Sequence, residues 1–203
     1  MTMTKSFAPS VERNKEPIFD ILKKYISKGK LLEIGSGNGQ HAVYFAEKLP
    51  QVQWTTSDTR ESQTQIKLWL KEAQLKNLLG PVVLKVGNDD FPKGAFDYVF
   101  TANTLHIMSW KENKCLFKLL GKRLREGSLA FFYGPFNYNG NFTSDSNEQF
   151  NKWLKERDLR SGIRNFEDVN QSMVKFGFKF LEDFEMPANN RLLVFERLPF
   201  MAK

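Results

Sequence analysis

The sequence predicts an α/β fold: a doubly wound, mostly parallel sheet flanked by helices and finished by an antiparallel hairpin. Three observations lead there. From residue 31 to residue 133, β-branched and aromatic runs alternate with amphipathic runs, the pattern of right-handed strand–helix–strand crossovers. The first of these strands, Leu31-Leu32-Glu33-Ile34, enters a loop with glycines at alternate positions, Gly35, Gly37 and Gly39, and a helical segment follows from His41. Near the C-terminus, Phe178 to Phe184 and Arg191 to Arg197 are joined by Glu185-Met186-Pro187-Ala188-Asn189-Asn190 with no helix between them. Two strands so joined form a hairpin, and the last strand runs antiparallel.

Each element follows in order. Residues 1–30 form an N-terminal arm and a helix. The arm, 1–16, is polar and too irregular for a strand. Pro17 suits the first turn of a helix carrying Ile18, Phe19, Ile21, Leu22, Tyr25 and Ile26, which Gly29 closes. The helix after the glycines repeats Ala42, Val43, Phe45, Ala46 and Leu49 and stops at Pro50; the second strand is Val52 to Asp58. A helix over about 62–76, with Ile66, Trp69, Leu70 and Ala73, leads through a Gly80-Pro81 turn to a third strand, Val82 to Val86. Phe96 to Thr101 and Ser128 to Tyr133 are the fourth and fifth strands, with Leu116, Phe117, Leu119, Leu120 and Leu124 marking the crossover helix between them. The insert over 137–166 precedes the last helix and hairpin and is expected to cap a substrate.

Length and composition bound the function. A chain of 203 residues is most simply one domain, 1–203. The 19 phenylalanines point to an aromatic core first and an aromatic pocket second. No apolar run approaches the ~18 residues of a membrane span, and Met1 to Asn14 holds no apolar signal segment. One cysteine, Cys115, excludes an internal disulfide and fits a reducing cytoplasm, the expected location. The net charge of +7 could attract nucleic acid, but the basic residues alternate with acids and form no block. A solvated surface therefore ranks ahead of a nucleic-acid partner. Two histidines and one cysteine without ligand spacing speak against a metal centre. Oligomeric state is not legible here.

The glycine spacing selects a ligand class. Dinucleotide folds require G-x-G-x-x-G; here the third glycine comes one residue early, and Glu33 stands two residues before the first. This E-x-G-x-G-x-G run resembles motif I of the class I methyltransferases that use S-adenosylmethionine. Further blocks extend the likeness: Ser6 to Asn14, Ala102 to Ile107, Tyr133 to Phe136, Thr143 to Asn147 and Met186 to Asn190. Together, over roughly residues 6–197, they resemble the little-characterised class I methyltransferase family that includes methyltransferase-like protein 26 and bacterial relatives.

That resemblance implies a seven-stranded Rossmann-like sheet, S-adenosylmethionine as cofactor, S-adenosylhomocysteine as product and a small molecule as acceptor. Gly35, Gly37 and Gly39, with Ser36 and Asn38 between them, leave room for the methionine part. Glu33 faces its amino end or only caps the loop. Asp58, 19 residues after Gly39 with Thr59 beside it, accepts the ribose hydroxyls and also suits a helix N-cap. Related sequences place an aspartate where Lys85 stands, so the adenine contact passes to Asn88, Asp89 or a main-chain carbonyl. Arg13 and Asn14 close over the methionine carboxylate, and Asn103 borders the cofactor. His106 is the candidate general base, against a role as pocket wall; His41 and Cys115 are structural. Tyr133, Phe136, Asn147, Asn189 and Asn190 are the candidates to line the acceptor pocket. The stretch at 101–106 lacks the Asn/Asp-Pro-Pro-Tyr/Phe motif of amino-methylating enzymes. The alternatives are a non-catalytic cofactor- or partner-binding module with this fold, and an RNA methyltransferase.

Overall fold

The computed structural model describes residues 4–199; residues 1–3 and 200–203, the ends of the expected single domain, lie outside the described residues. The first helix, α1 (Pro9–Tyr25), begins at Pro9 and not at Pro17. Pro9 takes the start of the helix, where a missing N–H is harmless. Pro17 lies inside it and gives up one bond to the carbonyl four residues back. The buried face is Val11, Asn14, Ile18 and Leu22. Because Asn14 interrupts that stripe, the first two turns read as irregular.

Two compact units divide the chain, residues 1–100 and 101–203. In the first, β1 (Gly29–Ile34) runs into α2 (Gln40–Lys48), then β2 (Val52–Asp58), α3 (Gln63–Ala73) and β3 (Leu78–Val83). The β1 strand pairs in parallel with β2 and with β4 (Tyr98–Ala102), and β2 pairs in parallel with β3. The core gathers Leu31, Leu32, Val52 and Ile66 around three rings. Phe45 lies 5.4 Å from Trp54 and meets Phe100 edge-on at 5.6 Å.

The third strand departs from expectation. It is Leu78–Val83, so Gly80-Pro81 lies within it and Lys85 beyond it. The strand occupies the edge of its sheet, where a proline can face outward without breaking a ladder. The register shifts opposite it, between Thr55 and Ser57, and the Thr56 hydroxyl donates to the Leu79 carbonyl (3.0 Å). Residues 84–89 consequently form a turn, with the N–H groups of Asn88 and Asp89 both donating to the Lys85 carbonyl (3.0 Å each).

In the second unit, α4 (Trp110–Arg123) starts at a reciprocal cap between Ser109 and Glu112. It is followed by β5 (Leu129–Gly134). The expected cap contains α5 (Asp145–Arg157), bracketed by two short strands, β6 (Phe136–Asn137) and β7 (Arg164–Asn165), that pair in parallel. Then come α6 (Phe166–Lys175) and the hairpin of β8 (Phe178–Met186) and β9 (Asn190–Arg197). The β9 strand is antiparallel to both β5 and β8. Phe117, Phe132, Phe195 and Phe180 meet in sequence through this core at 5.5–5.7 Å, the first two contacts tilted and the last edge-on.

The seven long strands hydrogen-bond in the order β3-β2-β1-β4-β5-β9-β8. This is the Rossmann-like, mostly parallel sheet with an antiparallel C-terminal hairpin that the sequence predicts. Phe45, Phe100, Phe117, Phe131, Phe132, Phe136, Phe178 and Phe195 are all fully buried, so the phenylalanine excess goes chiefly into the core. Among the described residues, no helix is long and apolar enough to cross a membrane.

Candidate functional site

In the first unit, β1 ends in the glycine loop and β2 holds it. The N–H groups of Gly35 and Ser36 donate to the Ser57 carbonyl (2.9 and 3.0 Å). Asp58 accepts from the Gly37 N–H (2.7 Å) with one carboxylate oxygen and from the Thr59 N–H (2.6 Å) with the other. Gly35, Gly37 and Gly39 all have positive φ, at 73°, 61° and 93°, which only glycine adopts freely. Their surroundings differ. A Cβ on Gly37 would meet nothing within 4 Å, whereas one on Gly39 would touch Ile66 and Trp69 of α3 at 3.4 Å. Gly37 is thus the open side of the cradle, and Gly39 lets α2 pack against α3.

Glu33 is 1% exposed. Its Oε2 accepts from the Ser36 hydroxyl (3.0 Å) and the Trp54 indole N–H (3.1 Å). Burial outweighs both bonds and pushes its pKa up to about 7. Asn14 is buried against α2, where its Oδ1 pairs with His41 Nε2 (2.7 Å). His41 also stacks on Phe45 at 5.4 Å; both contacts assign it to the core. Arg13 is exposed on α1.

Gln40, which sequence reasoning passed over, and Trp69, which it read only as part of the helix face, help to hold the N-terminal arm against the loop and α3. The Ser6 carbonyl accepts from Asn38 Nδ2 (3.1 Å) and from the Trp69 indole (2.9 Å), and the Ala8 N–H donates to Gln40 Oε1 (2.9 Å). Beyond β3, Asp89 uses one carboxylate oxygen on the Lys85 N–H (2.7 Å), while Asn88 is exposed.

In the second unit, Asn103 ends β4 in a left-handed conformation (φ 59°), which asparagine tolerates. Its N–H donates to the Tyr133 carbonyl (2.8 Å). A Cβ on Gly134 would lie 3.6 Å from both Asn103 Oδ1 and His106 Nδ1, so the missing side chain leaves the gap those two residues border. His106 is 4% exposed and meets Phe150 of α5 edge-on at 5.2 Å. Burial first, and the charge of Arg164 second, lower its pKa to about 4. The imidazole is therefore neutral throughout the physiological range.

The loop carrying His106 is clamped from behind. Arg164 donates to the carbonyls of Leu105 (3.1 Å), Arg160 (3.0 Å) and Met108. Asn113 donates to those of Leu105 (2.8 Å), Met108 (3.2 Å) and Ser109 (3.0 Å). The Gly162 N–H donates to the His106 carbonyl (2.9 Å). Sequence reasoning missed this clamp. Asn113 carried a signal, a polar residue in the apolar stripe of Leu116, Phe117 and Leu120; Arg164 carried none.

Among the acceptor candidates, Asn147 and Asn189 come together. Asn147 Nδ2 donates to Thr143 Oγ1 (2.8 Å) and to the Asn189 carbonyl (3.1 Å). Asn190 folds back on its own turn, donating to the Pro187 carbonyl (3.0 Å). Tyr133 and Phe136 are 3% and 1% exposed. Among the described residues, no group of three or more histidine, cysteine, aspartate or glutamate side chains is placed to hold a metal ion.

The profile of a protein family of unknown function, DUF938, matches residues 5–197. The chain belongs to that family. Solved structures resemble this DUF938 chain at low identity. An O-methyltransferase family 2 protein from Planctomyces limnophilus, in complex with apigenin, superposes with a TM-score of 0.79 at 16% identity, over 91% of this chain and 57% of that one. Human N-acetylserotonin methyltransferase, in complex with S-adenosylmethionine, gives 0.77 at 13%, over 93% and 53%. The S-adenosylmethionine-dependent methyltransferase SibL gives 0.77 at 17%, over 93% and 56%. The DUF938 chain spans just over half the length of each, and the shared feature is the methyltransferase fold.

The buried ionisable groups set a pH dependence of stability. His41 and His106 are held at about 4, against 6.5 when unfolded, and Glu33 at about 7, against 4.5. Between pH 4.5 and 6.5 the unfolded chain carries two histidine protons that the native DUF938 chain lacks. The native chain carries one on Glu33 that the unfolded chain lacks. The net difference of one proton makes stability rise with pH, by on the order of 1 kcal/mol per unit. Thermal melting should therefore move upward from pH 5 to 6.5, and His41→Gln should flatten the rise. A wild-type melting temperature that falls over this interval would reverse the assignment.

Proposed function

We propose that this chain is an S-adenosylmethionine-dependent methyltransferase with a small organic molecule as acceptor, built as one domain whose 137–166 insert caps that acceptor. The observation that carries the proposal is the open face of the glycine loop at Gly37, held by the carboxylate of Asp58. A larger side chain would fill the cradle, so the residues present fit this group. Three proteins of the same fold described as methyltransferases, one in complex with S-adenosylmethionine and one with apigenin, support the reading.

In this proposal the loop 35–39 and Glu33 hold the methionine end, and the free lone pairs of Asp58 accept the ribose hydroxyls. Asn88 or Asp89 recognises the adenine. The cofactor, when bound, supplies a methyl group on a sulfonium that is already a good leaving group. The protein's own work is then alignment and exclusion of water, with neutral His106 accepting the acceptor's proton at a ring nitrogen. Asn147 and Asn189 position the acceptor, and Tyr133 and Phe136 back the wall. Arg13, exposed on α1, is the residue free to reach the methionine carboxylate, because Asn14 is engaged by His41.

Calorimetric titration tests the proposal. The protein should bind S-adenosylmethionine and S-adenosylhomocysteine and bind NAD poorly. Asp58→Ala should weaken the first two by roughly 1–3 kcal/mol, the scale of lost charge-assisted hydrogen bonds. Tight NAD binding without S-adenosylmethionine binding would discard the methyltransferase reading.

A further inference from the structure

Read along the chain, the basic residues alternate with acids; on α4 they separate. Lys111, Lys114, Lys118 and Lys122 recur at spacings of three, four and four, which lines them along one helix edge. All four are exposed. Among the described residues none of them makes an ion pair, nor does Lys175 at the end of α6, whereas Lys5, Lys15, Lys23 and Lys152 elsewhere do.

The row borders a depression. Two hollows of about 560 and 750 Å³ share Val174, Lys175 and Phe176; Trp110, Lys114 and Asp168 line the first, and Lys118, Lys122 and Leu198 the second. The second hollow is mainly apolar, while Gln171 and Ser172 add polar lining to the first; Val174 is 56% and Leu198 40% exposed. Gly121 makes the close approach of the walls workable, since a Cβ there would lie 2.5 Å from the Phe176 carbonyl oxygen. Arg197 lies at the second hollow, but its guanidinium is spent on the carbonyls of Gly177 (2.8 Å) and Gly121 (3.0 Å). The free charge of the rim is therefore lysine, with Asp168 the one acid lining the hollows among the described residues.

We propose that this groove docks an acidic amphipathic helix supplied by another polypeptide. An apolar floor beside an unanswered lysine row matches a helix with aliphatic residues on one face and carboxylates on its flank. The row from Lys111 to Lys122 extends about 16 Å, three helical turns. Single-stranded nucleic acid would answer the charge, and Trp110 and Phe176 offer it part-exposed rings, but bases stack on open aromatic faces and the most open lining residues, Val174 and Leu198, are aliphatic. A bilayer surface is flat, and this surface is concave. The proposal uses no residue assigned to cofactor or acceptor.

The test uses the full chain and a fluorescein-labelled peptide of about 15 residues, three to four turns as a helix. The peptide carries leucines at helical i, i+3, i+4, i+7 spacing and glutamates on the flank. Fluorescence anisotropy in ~0.1 M salt, where surface charges still act within about 10 Å, should show it binding at least roughly tenfold tighter than a scrambled peptide of the same composition. The double variant Lys118→Glu/Lys122→Glu, and separately Val174→Asp, should each cost about tenfold or more without lowering the melting temperature, since all three residues are exposed. Absence of binding, equal binding of the scrambled peptide, or indifference to these substitutions overturns the proposal. So does tighter binding of oligouridylate or of phosphatidylserine vesicles.

Discussion

With asparagine at position 37, the protein is expected to melt close to the wild type and to bind S-adenosylmethionine on the order of 100-fold more weakly. Two local facts separate the effects. The backbone at Gly37 is left-handed, with φ 61°, a conformation that asparagine accepts better than other side chains. A Cβ there meets no protein atom within 4 Å, so the added side chain crowds the cradle and not the core. The Gly37 N–H can go on donating to Asp58, which keeps the loop anchored to β2. Calorimetry gives the affinity and a thermal melt the fold. Undiminished affinity in a folded variant would remove this loop from the cofactor site.

The second large effect separates binding from chemistry. His106→Ala should bind S-adenosylmethionine within a few-fold of wild type, while methyl transfer to an identified acceptor falls by roughly 10²–10⁴, the range for a lost acid–base group. The variant should stay folded, because the loop is held through main-chain carbonyls by Arg164, Asn113 and Gly162. The pH profile adds a second readout. A histidine at its ordinary pKa would make the rate climb through about 6.5. Here burial and Arg164 hold it at about 4, so the basic form is complete above that pH. The wild-type rate should be flat from pH 6 to 8 and fall only as pH drops toward 4. Asn103→Ala is the contrast and should weaken cofactor binding first. Wild-type turnover by His106→Ala would reduce the histidine to pocket wall.

The parts of the fold that were legible are those whose signal is local. Alternating strand and helix periods, the glycines at positions 35, 37 and 39, and a hairpin without a helix between its strands all lie within a few residues of one another. Local backbone sterics and side-chain periodicity act over that same range. The loop was legible to the same depth, but its tertiary bond from Gly37 to Asp58 was not, and spacing alone could not tell the glycine with open space beside it from the one that packs on α3.

What only the tertiary structure decided involves partners distant in sequence. Asn14 belongs to a buried helix face because His41, 27 residues on, pairs with it. Gly80-Pro81 is strand and not turn because β3 lies at a sheet edge, where a missing N–H breaks no ladder. The His106 loop owes its hold to Arg164, whose bonds to Leu105 and Met108 span 59 and 56 residues. The lysines of α4 form a row because a helical period of about 3.6 sorts residues by face, and Glu112, the one acid between them, turns back to cap Ser109. The amino-acid sequence by itself determined the class of sheet and the loop at its first strand, because both are written in nearest-neighbour geometry. Which buried groups are paired, and hence which are left for chemistry, depended on burial and distance that only the folded chain defines.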